Sequence, residues 1–536
     1  MFLSALFLAP ALTLSPAPEG AALTATYKLE APVTEFVLGE NDGQQRAGAW
    51  LPIGDGWIFD GTTITREDGA GFDEVAFQVS EDIEFHDRKY VVSSIIGEDG
   101  WALYLPAFSP SDDEVSVRFE GFPEDTALLL PGNDGDLNAP LMVSEDDNRS
   151  LFIGPSTYVF DDVVQVVAGP ELPVGIRDIL RDKADQIART LTMRLGDAPD
   201  EKPLILVSYR PEGARNNWKG GAFDRGTIKV DIRTDLSGQT ETQADHMASF
   251  IAHEMTHLWL NGVWDTTENQ SQPWLHEGAA EYISRRLTTS GDEFTGLISS
   301  NFERCASQLG NNALSDTNIA GQNGTPYDCG FIVQWVAETA SLKRRKGDIL
   351  DLWKDVVTTA PDGEYDSAHF LRVAEDHGGP AFGQFADALI HAGGRLRWVS
   401  IGSPLSGLKI EFGPSPAASQ EGWRLLALAI KPMMQHYCNG YFSWSWGDEA
   451  ITIDADDKCG EALSGKLVLA SVNGVRLTSA PFDALSTIKK ACTDQSEITF
   501  TSMTGEDVAV ACAFEVEDPT PSYAVTAHPT LPPLNR

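Results

Sequence analysis

Basic residues are scarce in this chain: 39 lysines and arginines face 79 aspartates and glutamates, a formal charge of −40 over 536 residues with a pI near 4.4. Such a balance excludes the broad basic surface that nucleic acids and anionic membranes need. The acids are spread along the chain and not gathered in one tail, so they describe a solvated acidic surface and leave the substrate open. Long apolar runs are missing as well. The run FLSALFLAPALTL at residues 2–14 is too short to cross a membrane, and no other segment is long enough. Followed by small residues, it reads as a signal peptide cut between Ala17 and Ala25, which predicts an exported chain, periplasmic or extracellular, with no span once mature. Cysteine is sparse. The six cysteines lack CxxC spacing, which argues against a cysteine-based structural zinc site. They form three local pairs, Cys305/Cys329, Cys438/Cys459 and Cys492/Cys512, and an oxidising compartment would make these three disulfides out of fifteen formal connectivities. Internal repeats are absent.

What is present divides into blocks, and at about 150 residues per domain the length suggests three or four. Residues 26–168 carry short alternating runs such as YVVSSII and LYLPAF between Gly, Asp and Pro turns, which predicts an antiparallel β domain. GPELPVG (169–175) marks a boundary. After it come a long amphipathic pattern at 176–195, the buried strand PLILVSY, and helical patterns over 282–398. GPSPAASQEG (413–422) reads as a linker, and the proline-bearing tail from Asp518 to Arg536 as disordered.

The chemistry lies in FIAHEMTHLWLNG, residues 250–262. Four residues are close to one helical turn, so His253 and His257 share a face and could take two corners of a tetrahedral metal site. Thr242 and Asp245 read as a capping box, Asn261-Gly262 as a stop, and Met247, Phe250, Ile251, Leu258 and Trp259 as positions for burial. By itself the pattern also suits an ordinary amphipathic helix with a solvated Glu254. A catalytic zinc needs a third protein ligand and keeps a position for water. SQPWLHEGAAEYISRRL (271–287) supplies a second helix, with Glu277 in its first turns. Glu281, four residues on, could accept the free ring N–H of one histidine.

The pair HEMTHLW and WLHEGAAEY resembles the gluzincin metallopeptidases, the group of thermolysin, aminopeptidase N and the glycyl aminopeptidases. The resemblance implies one zinc held by His253, His257 and Glu277, with Glu254 as general base. It implies a thermolysin-like α+β catalytic domain, helical in its C-terminal half, over 169–410. Nineteen residues, 258 to 276, separate the second histidine from the glutamate, where the aminopeptidase N pattern has eighteen. His276 stands where that pattern has asparagine and reads as a neighbour rather than a further ligand.

Two further segments are similar to that family. TPYDCGFIVQWVAE (325–338) sets Tyr327 before a helix, with glycine three residues on, in a setting where aminopeptidase N relatives carry the tyrosine that serves the oxyanion. Cys329 replaces the lysine of that setting, and a tyrosine packed at a helix start would look the same. KGGAFDRGTIKVDI (219–232) corresponds to the strand that pairs with substrate in those relatives, which makes Gly220, Gly221, Ala222 and Asp224 candidate substrate-binding residues. Asp224 and Arg225 replace a glutamate and an asparagine, which favours endopeptidase action, and a plain hairpin strand is the alternative. GKLVLASVNGVRL (465–477) with the helical FDALSTIKKA resembles a PDZ-like module over 411–517, or equally a β-rich accessory domain. The expected function is an exported zinc metallopeptidase acting on peptides or proteins. The alternatives are a zinc hydrolase of another bond and a zinc-stabilised peptide-binding scaffold.

Overall fold

The computed structural model describes residues 10–534 apart from 18–21, 40–42, 82–91, 112–113, 146–148, 197–201, 212–216, 224–225, 234–235, 237–239, 262–271, 290, 310–311, 317–323, 362–363, 395, 415–417, 439–441, 456–458, 460–461 and 517–522. The first part is three sheets, of six, five and three strands, sharing one apolar core. The six-stranded sheet has Ala11–Pro16 near its middle, antiparallel to Ala22–Val33 on one side and parallel to Val115–Phe119 on the other. Leu12 and Leu14 of this strand are buried in that core beside Tyr27, Phe77 and Leu103. The expected cut between Ala17 and Ala25 would remove this strand, in which the L-T-L alternation inside the apolar run pairs as β structure. The sheet of the first domain thus includes residues before 26.

Its other end moves too. Val159–Asp161 and Gln165–Ala168, expected to close the first domain, are the first strands of the next sheet. That five-stranded sheet runs Val159–Asp161, Gln165–Ala168, Leu204–Tyr209, Thr227–Arg233, Asn217–Phe223, with the second, third and fourth strands parallel. Asn217–Phe223 pairs antiparallel with Thr227–Arg233 and is the edge strand, so the segment 219–232 supplies two strands, of which the alternating one is interior. Between its strands lies the helix Val174–Leu195, whose Ile176, Leu180, Ile187 and Leu191 face the core at helical spacing.

Three helices then build the centre of the molecule: the histidine helix Thr240–Asn261, the glutamate helix Pro273–Thr288 and the tyrosine helix Thr325–Lys343. Gly291–Leu309 packs on the last of these and is joined to it by the Cys305–Cys329 disulfide. Cys438–Cys459 and Cys492–Cys512 also form as their spacing suggested. No described helix is long and apolar enough to cross a membrane.

The C-terminal module has its own core of Ile430, Ile453, Leu469, Ile488 and Phe500, between a sheet and the helices Ala418–Tyr437 and Pro481–Thr493. Asn473 and Gly474, with φ of 44° and 79°, turn the chain between Gly465–Val472 and Val475–Arg476. The expected linker is short: Glu411–Pro414 is a strand and Ala418 already begins a helix. The tail, expected to be disordered, is packed over its described residues 523–534. Tyr523–Ala527 pairs antiparallel with Glu411–Pro414, and Val525 and Leu534 are buried in the helical core of the preceding domain. Arg286 Nη2 donates to the Pro532 carbonyl oxygen at 2.8 Å, and the His528 ring meets Trp335 edge to face. Prolines suit this extended return, whose pairing partner lies more than a hundred residues upstream.

Candidate metal centre

Alanines and methionines let the histidine helix lie close to its neighbours: Ala244, Ala248, Ile251, Ala252 and Met255 are all buried. That packing leaves the face carrying His253 and His257 towards the glutamate helix, which is fixed in turn by buried Trp274, Leu275, Ala279 and Ile283. Phe250, read as a burial position, is only half-buried and lines a cleft instead. The capping pair Thr242 and Asp245 falls inside the helix and not at its start, and Gly262 lies outside the described residues.

The three expected ligands converge. His253 Nε2 and His257 Nε2 are 3.1 Å apart, and each is 3.3 Å from Glu277 Oε2. A tetrahedral zinc with bonds near 2.0–2.1 Å would span about 3.4 Å between ligand atoms, so the triangle fits the ion. Two imidazole nitrogens facing each other at that distance beside one carboxylate are a donor set that a divalent cation satisfies better than shared protons do. Among the described residues no other group of three has metal-ligand convergence. His276 stands outside the triangle, its ring stacked 4.2 Å from that of His257, and burial holds its pKa well below the ordinary histidine range.

Around the triangle, Glu281 Oε2 lies 3.4 Å from His253 Nδ1, the position expected for the partner that fixes the ring. Burial opposes a charge on His253, but hydrogen bonds to Glu277 and Glu281 prevail and push its pKa up to about 10. Burial would raise both acids. The two histidines nonetheless hold Glu277 below the usual carboxylate range, and His253 with Arg285 brings Glu281 down to about 2. Glu254, buried on the histidine helix, lines a cleft of about 490 Å³ that also reaches His253, Glu281 and Tyr327.

Tyr327, expected before a helix, is the third residue of the helix Thr325–Lys343. Its ring stacks on His253 with centroids 5.9 Å apart, and Glu277 and Glu254 lie close enough to act on its hydroxyl electrostatically. Burial first, and then Glu277 and Glu254, lift its pKa above the ordinary phenol value. The helix start is clamped from the neighbouring helix: Arg304 Nε and Gln308 Nε2 donate to Asp328 at 2.8 and 2.9 Å, and the next residue, Cys329, is bridged to Cys305. Of the substrate-strand candidates, Gly220, Gly221 and Ala222 lie on the edge strand, paired to Val230, Lys229 and Ile228. Asp224 and Arg225 lie outside the described residues.

Sequence reasoning passed over three lining residues, His246, Ser249 and Arg285, and read a fourth, Phe250, for burial alone. A signal was available: 246, 249 and 250 precede His253 by seven, four and three positions, and Arg285 follows Glu281 by four, so they share faces with residues already singled out.

An aminopeptidase N family protein from Idiomarina loihiensis superposes on 97% of this chain and 98% of its own, with a TM-score of 0.53 at 11% identity. A variant of the M1 zinc metallopeptidase from Deinococcus radiodurans matches 72% of this chain and 94% of its own, at 14% identity and a TM-score of 0.41. Native yeast LTA4 hydrolase matches 80% and 72%, at 14% identity and a TM-score of 0.40. The first likeness is one of overall fold along the whole chain; the two weaker ones carry no argument. No family model matches the chain, and no curated protein matches its sequence.

Proposed function

We propose that this chain is a zinc-dependent metallopeptidase of the gluzincin kind, hydrolysing peptide bonds. The observation that carries the reading is the triangle of His253, His257 and Glu277 with Glu254 beside it on an open cleft. Zinc bound there would supply a Lewis acid that polarises a carbonyl and lowers the pKa of water to about 7. The other tasks fall to side chains. Glu254 takes the proton of the attacking water and returns it to the leaving amine, so that one peptide bond and one water give a carboxylate and an amine. Tyr327, held neutral by its raised pKa, donates to the oxygen that gains charge. Glu281 accepts from His253 Nδ1–H and thereby keeps the Nε2 lone pair on the metal side.

A peptide could add as a further strand to the edge strand Asn217–Phe223, along Gly220, Gly221 and Ala222, with the short Asp224 as no more than a weak partner for a free amine. Three disulfides support an oxidising, exported setting. The Asn473-Gly474 turn and the following helix support a PDZ-like reading of the C-terminal module.

Mass-spectrometric mapping of products from a peptide library, with and without a chelator, tests the proposal. Chelator-sensitive cleavage is expected. Hydrolysis of esters alone would move the assignment to a non-peptide hydrolase, and no hydrolysis by zinc-loaded protein would leave a scaffold.

A further inference from the structure

The cleft contains a cation for which the hydrolytic step has no task. From His253 the cleft follows one face of the histidine helix past Phe250 and Ser249 to His246, while the glutamate helix contributes Glu281 and Arg285. Among these lining residues Arg285 alone carries a permanent positive charge, in a chain whose formal charge is −40. Arg285 Nε donates to Glu281 Oε1 at 2.8 Å, one turn back on the same helix. The other oxygen of Glu281 is the one near His253, so this carboxylate is engaged on both sides. The bond fixes the plane of the guanidinium yet uses one of its five donors. Its side chain stays 30% exposed, and Nη1 and Nη2 make no hydrogen bond among the described residues. A planar fork held by its Nε side and open at its two Nη groups is suited to a second carboxylate.

We propose that Arg285 is a substrate-binding residue that reads a carboxylate, and that the favoured substrates carry one near the bond to be broken. The source is the C-terminal carboxylate of a short peptide or the side chain of an aspartate or glutamate. His246, exposed on the same cleft, adds a polar group at its far end. The inference rests on the metallopeptidase reading for the bond cleaved, but not for the binding of the acid. Were Arg285 only a prop for Glu281, its loss would weaken metal binding and turnover for every substrate alike.

The test uses the zinc-loaded full chain and two pairs of peptides of one sequence. One pair differs as C-terminal acid or amide, the other as glutamate or glutamine beside the scissile bond. In the wild type, kcat/KM should favour the acid of at least one pair by about tenfold or more. Arg285→Gln should bring that ratio close to one, and Arg285→Lys should restore part of it. A ratio lost only on amidation assigns the terminal carboxylate; one lost only in the glutamate/glutamine pair assigns the side chain. Absence of any preference in the wild type, or an unchanged preference in Arg285→Gln, overturns the proposal. If no peptide is cleaved, the same four are titrated calorimetrically into zinc-loaded Glu254→Gln. A preference for the acids that vanishes when Arg285→Gln is added keeps this inference while the peptidase reading fails, and equal affinities overturn the inference itself.

Discussion

Gly278 and Gly330 meet backbone to backbone where the glutamate and tyrosine helices cross. A Cβ on Gly278 would stand 2.2 Å from the Gly330 Cα, and one on Gly330 would stand 2.0 Å from the Trp274 carbonyl oxygen. Glu277 precedes the first glycine by one residue and Tyr327 the second by three, so this crossing sets how closely the tyrosine approaches the ligand carboxylate. Backbone atoms cannot swing aside as a side chain tip can. Gly330→Ala should therefore part the helices, lowering Tm through a loss of roughly 1–3 kcal/mol. It should also lower kcat at temperatures where the variant is still folded. An unchanged Tm with wild-type kcat would show that the crossing tolerates the methyl group.

Removal of the ligand and of the base should separate cleanly. Glu277→Ala takes one corner of the triangle and should lower zinc content after dialysis, while circular dichroism stays native because Glu277 is not part of the apolar core. Glu254→Gln should keep zinc and lose turnover by about 10²–10⁴, the usual worth of a positioned proton carrier. Glu281→Ala should weaken zinc by about 10–100-fold. Full zinc occupancy in Glu277→Ala would remove that residue from the ligand set.

Tyr327→Phe should reduce kcat by about 10²–10³ with KM nearly constant, because its hydroxyl would serve only the charge that develops during reaction. Steady-state kinetics on one good peptide decide this. A rise in KM at constant kcat would instead make Tyr327 a residue that grips substrate.

Peptides with acetylated amino termini should be cleaved nearly as well as free ones. Asp224 is shorter than the glutamate of the resembling pattern and is followed by the cation of Arg225, so a charged amine finds only a weak partner there. Release of single amino-terminal residues, abolished by acetylation, would return Asp224 to an amine-binding role.

The start of the tyrosine helix should also respond to pH. Burial raises the Asp328 pKa to about 6 despite Arg304 and Gln308, which lower it. An acid whose folded pKa exceeds its unfolded value of about 3.9 binds more protons folded than unfolded between the two, so its contribution to stability falls as pH rises from about 4 to 6. Asp328→Asn removes this titration. The Tm difference between variant and wild type should shift in the variant's favour across that interval, and a difference independent of pH would contradict the assignment.

The sequence by itself determined what depends on short-range periodicity. Four-residue spacing placed His253 with His257 and Glu277 with Glu281 on shared helix faces. Helix-start and glycine signals put Tyr327 near the start of a helix, and local cysteine spacing matched all three bridges. Pairing and packing between distant segments were decided only in three dimensions. Apolar residues 11–16 carry an alternation that serves a leader or a strand equally well, and only partners at 22–33 and 115–119 make them interior. The tail joined residues 411–414 because an extended, proline-bearing chain has no local preference that names its partner. In the same way Arg285 could be read as a surface cation of a helix until the histidine helix, across the cleft, supplied the other wall. A residue's face follows from its neighbours in sequence, whereas what that face meets depends on chain closure over tens to hundreds of residues, which no local pattern encodes.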